Sequence, residues 1–523
     1  PIPPPNKSPA SVLDSYKRKR AAWENHFQQL NVRREHLEQE LASKSKEFAH
    51  LQKPLRVSQV REWLPEGTAF VDFLEYVYFA RNQKEEGKTS VERRYVAWVV
   101  RSDRNPVLVE LGSAEELADA VDAFRRSIVR PSHSESELLS TAMWLREHLW
   151  SPLEKHFDGI DTVILCPDTI LGMLPWNALP GKRPQSYVIE EYRVATLPMA
   201  TMLRAIFEKT SDRHSRAPSL LVVGAVDYSA AGDQHFDADS RAASPATRAK
   251  TFPPSEKAME WKSLPGFREE LEIVRRLFQR QFDGNIRVLE RANATEAAFL
   301  KEAPRFSLLH VVTHGFFASP KARRRGSVSV ERMGGQPEIL FQERLRASSM
   351  VHEYAPGLLS GLVLAGANGA DSARYQESDG ILTASEIATI DLSASDLVVL
   401  SACETGVGKA AAGEGLIGLQ RSFHVAGART VIASLWKVGD NATLAFMKEF
   451  YRNLWEKRMG KLDALREAQL AMLRGYDPNA QSFERGLGRK SVKVDVDGKP
   501  SSPPPKRLSP WYWAPFQLSG DWR

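Results

Sequence analysis

Apolar and polar positions change rhythm along the chain. Between residues 12 and 51, Trp23, Phe27, Leu30, Leu37 and Leu41 recur at near-helical spacing among charged residues, which predicts an amphipathic helix. From about Gly67 the period shortens. Segments 68–79, 94–101 and 107–111 are rich in β-branched and aromatic residues and predict strands. Helices are expected over Ala114–Val129 and 135–156. Buried strands are expected over 161–165, closed by the Cys166-Pro167-Asp168 turn, and over Leu220–Val226. Residues 227–254 carry Ala, Ser, Asp and Pro without periodicity and read as a linker.

Alternation then resumes. A helix over 267–282 and a strand over 286–289 precede Asn293 with Glu296, an N-cap pattern that opens another helix. Strands are predicted at 306–313, 361–364, Leu397–Leu400 and 430–435, and helices at 384–390, 415–426, 441–458 and 461–474. A polar stretch, 479–505, precedes the aromatic run Trp511-Tyr512-Trp513-Ala514-Pro515-Phe516, which is expected to return to the core as a strand. Strands and helices in alternation predict an α/β layer architecture.

Composition adds bounds to this picture. Apolar residues make up 42% and charged residues 26% of 523 positions, as in soluble globular chains, and the length calls for two or more domains. A net charge of +6 is mild for this size and gives little support to nucleic-acid binding, so no direct nucleic-acid partner is expected. No apolar run is long enough to span a bilayer, and no signal-peptide pattern is visible, so no membrane role is expected. Cys166 and Cys403 are the only cysteines, too few for a disulfide framework or a Cys-based metal knuckle; they point to a reducing, cytoplasmic setting. The opening Pro1-Ile2-Pro3-Pro4-Pro5 lacks Met and reads as the start of a C-terminal piece of a longer protein.

Two apolar strands run straight into polar, glycine-containing turns: Leu308 through His314-Gly315, and Leu397 through Cys403-Glu404-Thr405-Gly406. Catalytic groups in a parallel α/β sheet gather at the carboxyl ends of strands, which would bring His314 and Cys403 to one edge. A thiol becomes a useful nucleophile near neutral pH when an imidazole lies beside it. Gly315 lets the backbone approach a substrate closely, and its N–H is a candidate donor to an acyl oxyanion. His310 lies inside its strand and reads as a core histidine. Cys166 has no His-Gly strand end near it in sequence and reads as a small core residue. Gly408-Lys409 fails the phosphate-loop pattern at Cys403 and Ala410. Asp379, Glu386 and Glu404 match no zinc or calcium spacing, so neither a metal nor a cofactor is expected.

Several ordered blocks resemble the CHAT domain family: Val312-Thr313-His314-Gly315, Gly361 through Asn368, Asp379 through Ala384, and Leu400 through Gly406. So do Gly427-Ala428, Ala433-Ser434-Leu435-Trp436, and the closing Tyr512 to Phe516 with Gly520-Asp521-Trp522. Pro167-Asp168-Thr169 to Leu179-Pro180-Gly181 resembles the family's N-terminal part, which extends the resemblance to roughly residues 60–523. CHAT domains are similar to caspases and separases, are common in bacteria and usually adjoin tetratricopeptide repeats.

The resemblance implies a caspase-like α/β fold of two lobes. Residues 1–60 would be a Pro-rich start and helical segment, 61–226 a pseudo-caspase lobe without a catalytic pair, 227–266 a linker, and 267–523 the catalytic lobe. It also implies a cysteine endopeptidase with His314 as base and Cys403 as nucleophile, cleaving a specific protein substrate in regulated bacterial signalling or defence. Ser401, two residues before the Cys, falls where caspase-like enzymes shape the P1 pocket; a Ser is neither the acid of an Arg/Lys-selective pocket nor the basic cluster of an Asp-selective one, which leaves P1 open. The expected partners are the substrate and a protein activator or upstream repeat module. The 89-residue separation of His314 from Cys403 exceeds the roughly 50 of caspases. An insertion over 319–356, with the solvated basic cluster Lys321, Arg323, Arg324 and Arg325, accounts for it. The alternative is a catalytically silent caspase-fold scaffold for protein–protein interaction. The absence of a readable S1 acid favours the scaffold, and the retained His/Cys pair opposes it.

Overall fold

In the computed structural model of the chain the described residues are 54–81, 89–129, 135–208, 217–230, 261–262, 267–317, 360–368, 379–401, 403–404, 412–436, 438–477, 482–483 and 507–523, with helical positions 14, 18, 29 and 33. Apart from these positions, the expected helix 12–51, the linker beyond residue 230, the basic cluster 321–325 and the polar stretch 479–505 lie outside the described residues.

The first half supplies β1 (Thr68–Arg81), β2 (Thr89–Arg101), β3 (Val107–Ser113), β4 (Thr162–Cys166) and β5 (Arg193–Thr196). Next come β6 (Leu220–Val226), β7 (Ile286–Arg291), β8 (Leu308–Val311), β9 (His314–Phe317), β10 (Ser360–Val363) and β11 (Ile381–Thr383). The last are β12 (Leu397–Leu400), β13 (Cys403–Glu404), β14 (Thr430–Ser434), β15 (Tyr476–Asp477), β16 (Ser482–Phe483) and β17 (Phe516–Gly520). Eleven of them form one sheet in the order β3-β2-β1-β4-β5-β17-β14-β12-β8-β6-β7, and β11-β10-β9-β13 form a second sheet. In the large sheet the β1–β2–β3 meander and the β14–β17 pair are antiparallel, and the other neighbours are parallel. This is a mixed α/β fold with a large, mostly parallel sheet.

β4, β12 and β14 are buried at every position, and β6 and β8 at nearly every one, so both faces of these strands are covered. Interior parallel strands are therefore continuous apolar runs rather than alternating ones. β6 pairs with β7 and β8, among the strands of the second half. The C-terminal strand β17 joins the two groups, running antiparallel to β14 and meeting β5 at Ser519 and Thr196. Hydrogen bonds reinforce the join: Thr196 Oγ1 donates to the Leu518 carbonyl at 3.0 Å and Gln517 Nε2 to the Leu174 carbonyl at 2.6 Å. Gly520 has φ +102°, and a Cβ there would run into the Arg429 carbonyl, so the end of β17 requires glycine.

Three local expectations change. The helix expected over 135–156 is interrupted by a π-helical turn, Arg146–Trp150, between Glu135–Leu145 and Ser151–Glu154. Pro152 has no N–H to donate back and its ring crowds the carbonyl of the preceding turn; the widened turn directly before it relieves the crowding. The helix Glu296–Glu302 is capped by Thr295, whose hydroxyl accepts from Ala298 N–H at 3.2 Å, while Asn293 lies two residues earlier, its N–H donating to the Glu290 carbonyl. Finally, Pro510 opens a short helix, Pro510–Trp513, capped by Ser509, so the aromatic run turns before the strand begins at Phe516.

Buried His424 sits against β17, with Nδ1 2.9 Å from the Ala428 carbonyl and Nε2 3.0 Å from Ser519 Oγ. Burial lowers its pKa from 6.5 to about 4. The unfolded chain thus binds a proton that the native protein refuses. Stability is fully present above about pH 6.5 and should fall by of order 3 kcal/mol as the pH drops to about 4. Denaturant titrations across this range should show the loss, and a His424→Gln variant should lack this component of it.

Candidate active site

The site is built by two parallel strands that pass together from the large sheet into the small one. β8 and β12 pair from Leu308 and Leu397 to Val311 and Leu400. The ladder continues as Ser401 N–H donates to the Val311 carbonyl at 2.9 Å. β9 and β13 then pair with Cys403 opposite His314 and Glu404 opposite Gly315. Neighbouring strands lie about 4.8 Å apart, so the two backbones are in direct contact at the predicted pair. β10 flanks β9 on its other side, with Leu362 opposite Gly315.

His314 is 5% exposed, and its Nε2 lies 2.8 Å from the Lys262 carbonyl oxygen. A carbonyl only accepts, so Nε2 carries a proton and the lone pair of the neutral ring is on Nδ1. The rings of Tyr228 and Trp261 flank the imidazole at centroid distances of 5.1 and 5.3 Å. Tyr228 is itself held by its hydroxyl, 3.0 Å from Thr313 Oγ1, which in turn donates to the Val363 carbonyl. Burial pushes the Tyr228 phenol above its ordinary range, so it stays a neutral donor.

Beneath the strand ends lies a buried polar cluster. Glu270, on the helix Phe267–Gln281, takes His310 Nε2 at 3.1 Å and the Ser401 hydroxyl at 3.4 Å, and His310 Nδ1 is 2.8 Å from the Tyr451 hydroxyl. His310 is thus a satisfied core histidine. Ser401, expected at a P1 pocket, is 1% exposed with its hydroxyl turned to Glu270. Cys166 offers an instructive contrast. It also ends a parallel strand, but its register partner is Asp72. Burial first, and then the Asp72 carboxylate, push its thiol up, the opposite of what a nucleophile needs.

Sequence reasoning missed Lys262, Trp261 and Tyr228. Lys262 contributes a backbone carbonyl, which carries no sequence signal. Trp261, a lone tryptophan in a stretch otherwise read as linker, was the available clue. Among the described residues, no group of three or more His, Cys, Asp and Glu side chains is placed to hold a metal ion, and no helix is long and apolar enough to cross a membrane.

Fold and site together define an α/β domain with a His and a Cys opposed at paired strand ends. The chain belongs to the CHAT domain family, whose model matches residues 139–521. Among solved structures it is similar to the Arg-specific cysteine proteinase gingipain R, at 9% identity and a TM-score of 0.34, over 78% of this chain and 73% of that one. It is also similar to Saccharomyces cerevisiae separase in two structures of the separase–securin complex. In one the identity is 11% and the TM-score 0.32, over 75% of this chain and 19% of that one. In the other they are 9% and 0.39, over 89% and 31%. The chain thus spans between about a fifth and a third of those separase chains. No curated protein matches in sequence.

Glu270 bridges the two site-bearing strands from below, and its loss would leave His310 and Ser401 short of a buried partner. Glu270→Ala is expected to destabilise the fold by about 3 kcal/mol, read as a lower denaturation midpoint.

Proposed function

We propose that the chain is a cysteine endopeptidase in which His314 and Cys403 form the catalytic dyad. The observation that carries this reading is the parallel register setting the two residues opposite each other. On this reading His314 Nδ1 takes the Cys403 thiol proton, while Nε2–H keeps donating to the Lys262 carbonyl, which stabilises the imidazolium. The thiolate attacks a peptide carbonyl carbon, and the displaced electron pair moves onto oxygen. Backbone N–H groups near Gly315 and Cys403 hold that oxyanion. The imidazolium then protonates the leaving amine as the C–N bond breaks. A water, deprotonated by His314, hydrolyses the thioester and restores the thiol.

The substrate is read as a specific protein, and the setting as cytoplasmic bacterial signalling or defence, with an activator or an upstream repeat module as partner. The lobe 61–226 is read as lacking a catalytic pair, in keeping with the raised Cys166 thiol, and 267–523 as the catalytic lobe. Because Glu270 engages its hydroxyl, Ser401 is read as supporting the floor of the site rather than lining a P1 pocket.

Cys403→Ala and His314→Ala should each lower proteolysis by about 10³-fold or more without altering the far-UV circular dichroism. A mass-spectrometric comparison of cleavage products from a bacterial proteome, wild type against each variant, checks this. Undiminished cleavage by both variants would contradict the reading.

A further inference from the structure

The segment Gly361 to Asn368 is not explained by the dyad itself. Its last residue makes an unusual set of contacts. Asn368 Oδ1 accepts from the Trp261 N–H at 2.8 Å, and its Nδ2 donates to the Trp261 carbonyl at 2.8 Å and to Ser229 Oγ at 3.2 Å. Its own N–H donates to the Tyr228 carbonyl at 2.7 Å. The two bonds to Trp261 fix the orientation of the amide, because the N–H needs an acceptor and the carbonyl a donor. An Asp of the same shape has no donor, and an Ala has neither group.

We infer that Asn368 is a positioning residue for His314, acting through the backbone of Trp261 and Lys262. This inference rests on the dyad reading. Asn368 gathers the two segments that surround the imidazole: its main-chain N–H holds the Tyr228 carbonyl after β6, and its side-chain amide holds the backbone of Trp261, next to Lys262. The first presents the Tyr228 ring to His314; the second presents the Trp261 ring and the Lys262 carbonyl that holds the Nε2 proton. With the Trp261 backbone released, the carbonyl no longer enforces the tautomer with its lone pair on Nδ1. The imidazole then loses part of its ability to draw the proton from Cys403, and the thiolate fraction falls.

The test is the pH dependence of Cys403 alkylation by iodoacetamide, followed on the Cys403 peptide by mass spectrometry; this reads the thiolate and needs no substrate. The wild type should react well below the ordinary thiol pKa of about 8.5. Asn368→Ala and Asn368→Asp should slow the reaction near neutral pH by about tenfold to a hundredfold and move the profile towards that of a free thiol. Ser229→Ala, which loses only the 3.2 Å bond, should keep the wild-type profile. A variant that melts at lower temperature but retains the wild-type profile would reduce Asn368 to a structural role and overturn the inference. In the unaltered protein the Trp261 amide should exchange slowly with deuterium, and exchange at the rate of an unprotected amide would overturn it without any variant. His314→Ala separates the two levels. If it keeps the wild-type profile, the dyad reading fails; if it loses the low-pH reactivity while both Asn368 variants keep it, only the role of Asn368 fails.

Discussion

The parallel pairing of β8 with β12 is the constraint on which the site depends. Each residue of the first strand meets the one 89 positions later, from Leu308 with Leu397 to Val311 with Leu400, and the same offset holds for His314 with Cys403. The register is set in the interior, where Leu309, Val311, Val398 and Leu400 are buried, and is inherited by the polar residues at the strand ends. Because faces alternate along a strand, a slip of one residue would exchange the faces of the two strands and separate the pair. Glu270 resists such a slip from below, since it bonds to His310 on one strand and to Ser401 on the other.

Polar groups around this frame are buried, and burial is costly unless each finds a partner. Here the partners are one another. Tyr228, Thr313 and the Val363 carbonyl form one chain, and Tyr451, His310, Glu270 and Ser401 form a second. A third runs from Asn368 through Trp261 to the Lys262 carbonyl and His314. Cys166 shows how much the neighbour matters. It too sits opposite an ionisable residue at the end of a parallel strand, but the neighbour is Asp72, whose carboxylate disfavours a thiolate.

Much of this frame is legible in the sequence. The apolar runs at Leu220–Val226, Leu397–Leu400 and around Leu308 mark strands buried on both faces, and the polar turns after two of them mark the edge where His314 and Cys403 meet. Strand order is less legible. That β17 crosses between the two groups follows from pairings such as Ser519 with Thr196, far apart in the chain and without local signal. The tautomer of His314 is set by a main-chain carbonyl, Lys262, which any residue type could supply. The partner of Ser401 is illegible for a related reason: its place two residues before Cys403 is plain in the sequence, but Glu270, on a helix far away in the chain, is what its hydroxyl meets. At Pro510 a local helix-start signal outweighed the strand propensity of the aromatic residues that follow.

The register itself can be tested by chemistry. A His314→Cys variant places a second thiol opposite Cys403, at a backbone spacing of about 4.8 Å, within the Cα range of disulfides. Under mild oxidation a bond should form between positions 314 and 403, identified by non-reducing peptide mass spectrometry. Gly315→Cys, which alternation assigns to the opposite face, should crosslink to Cys403 far less. Failure of the first variant to crosslink, or a preference for position 315, would contradict the register that assembles the site.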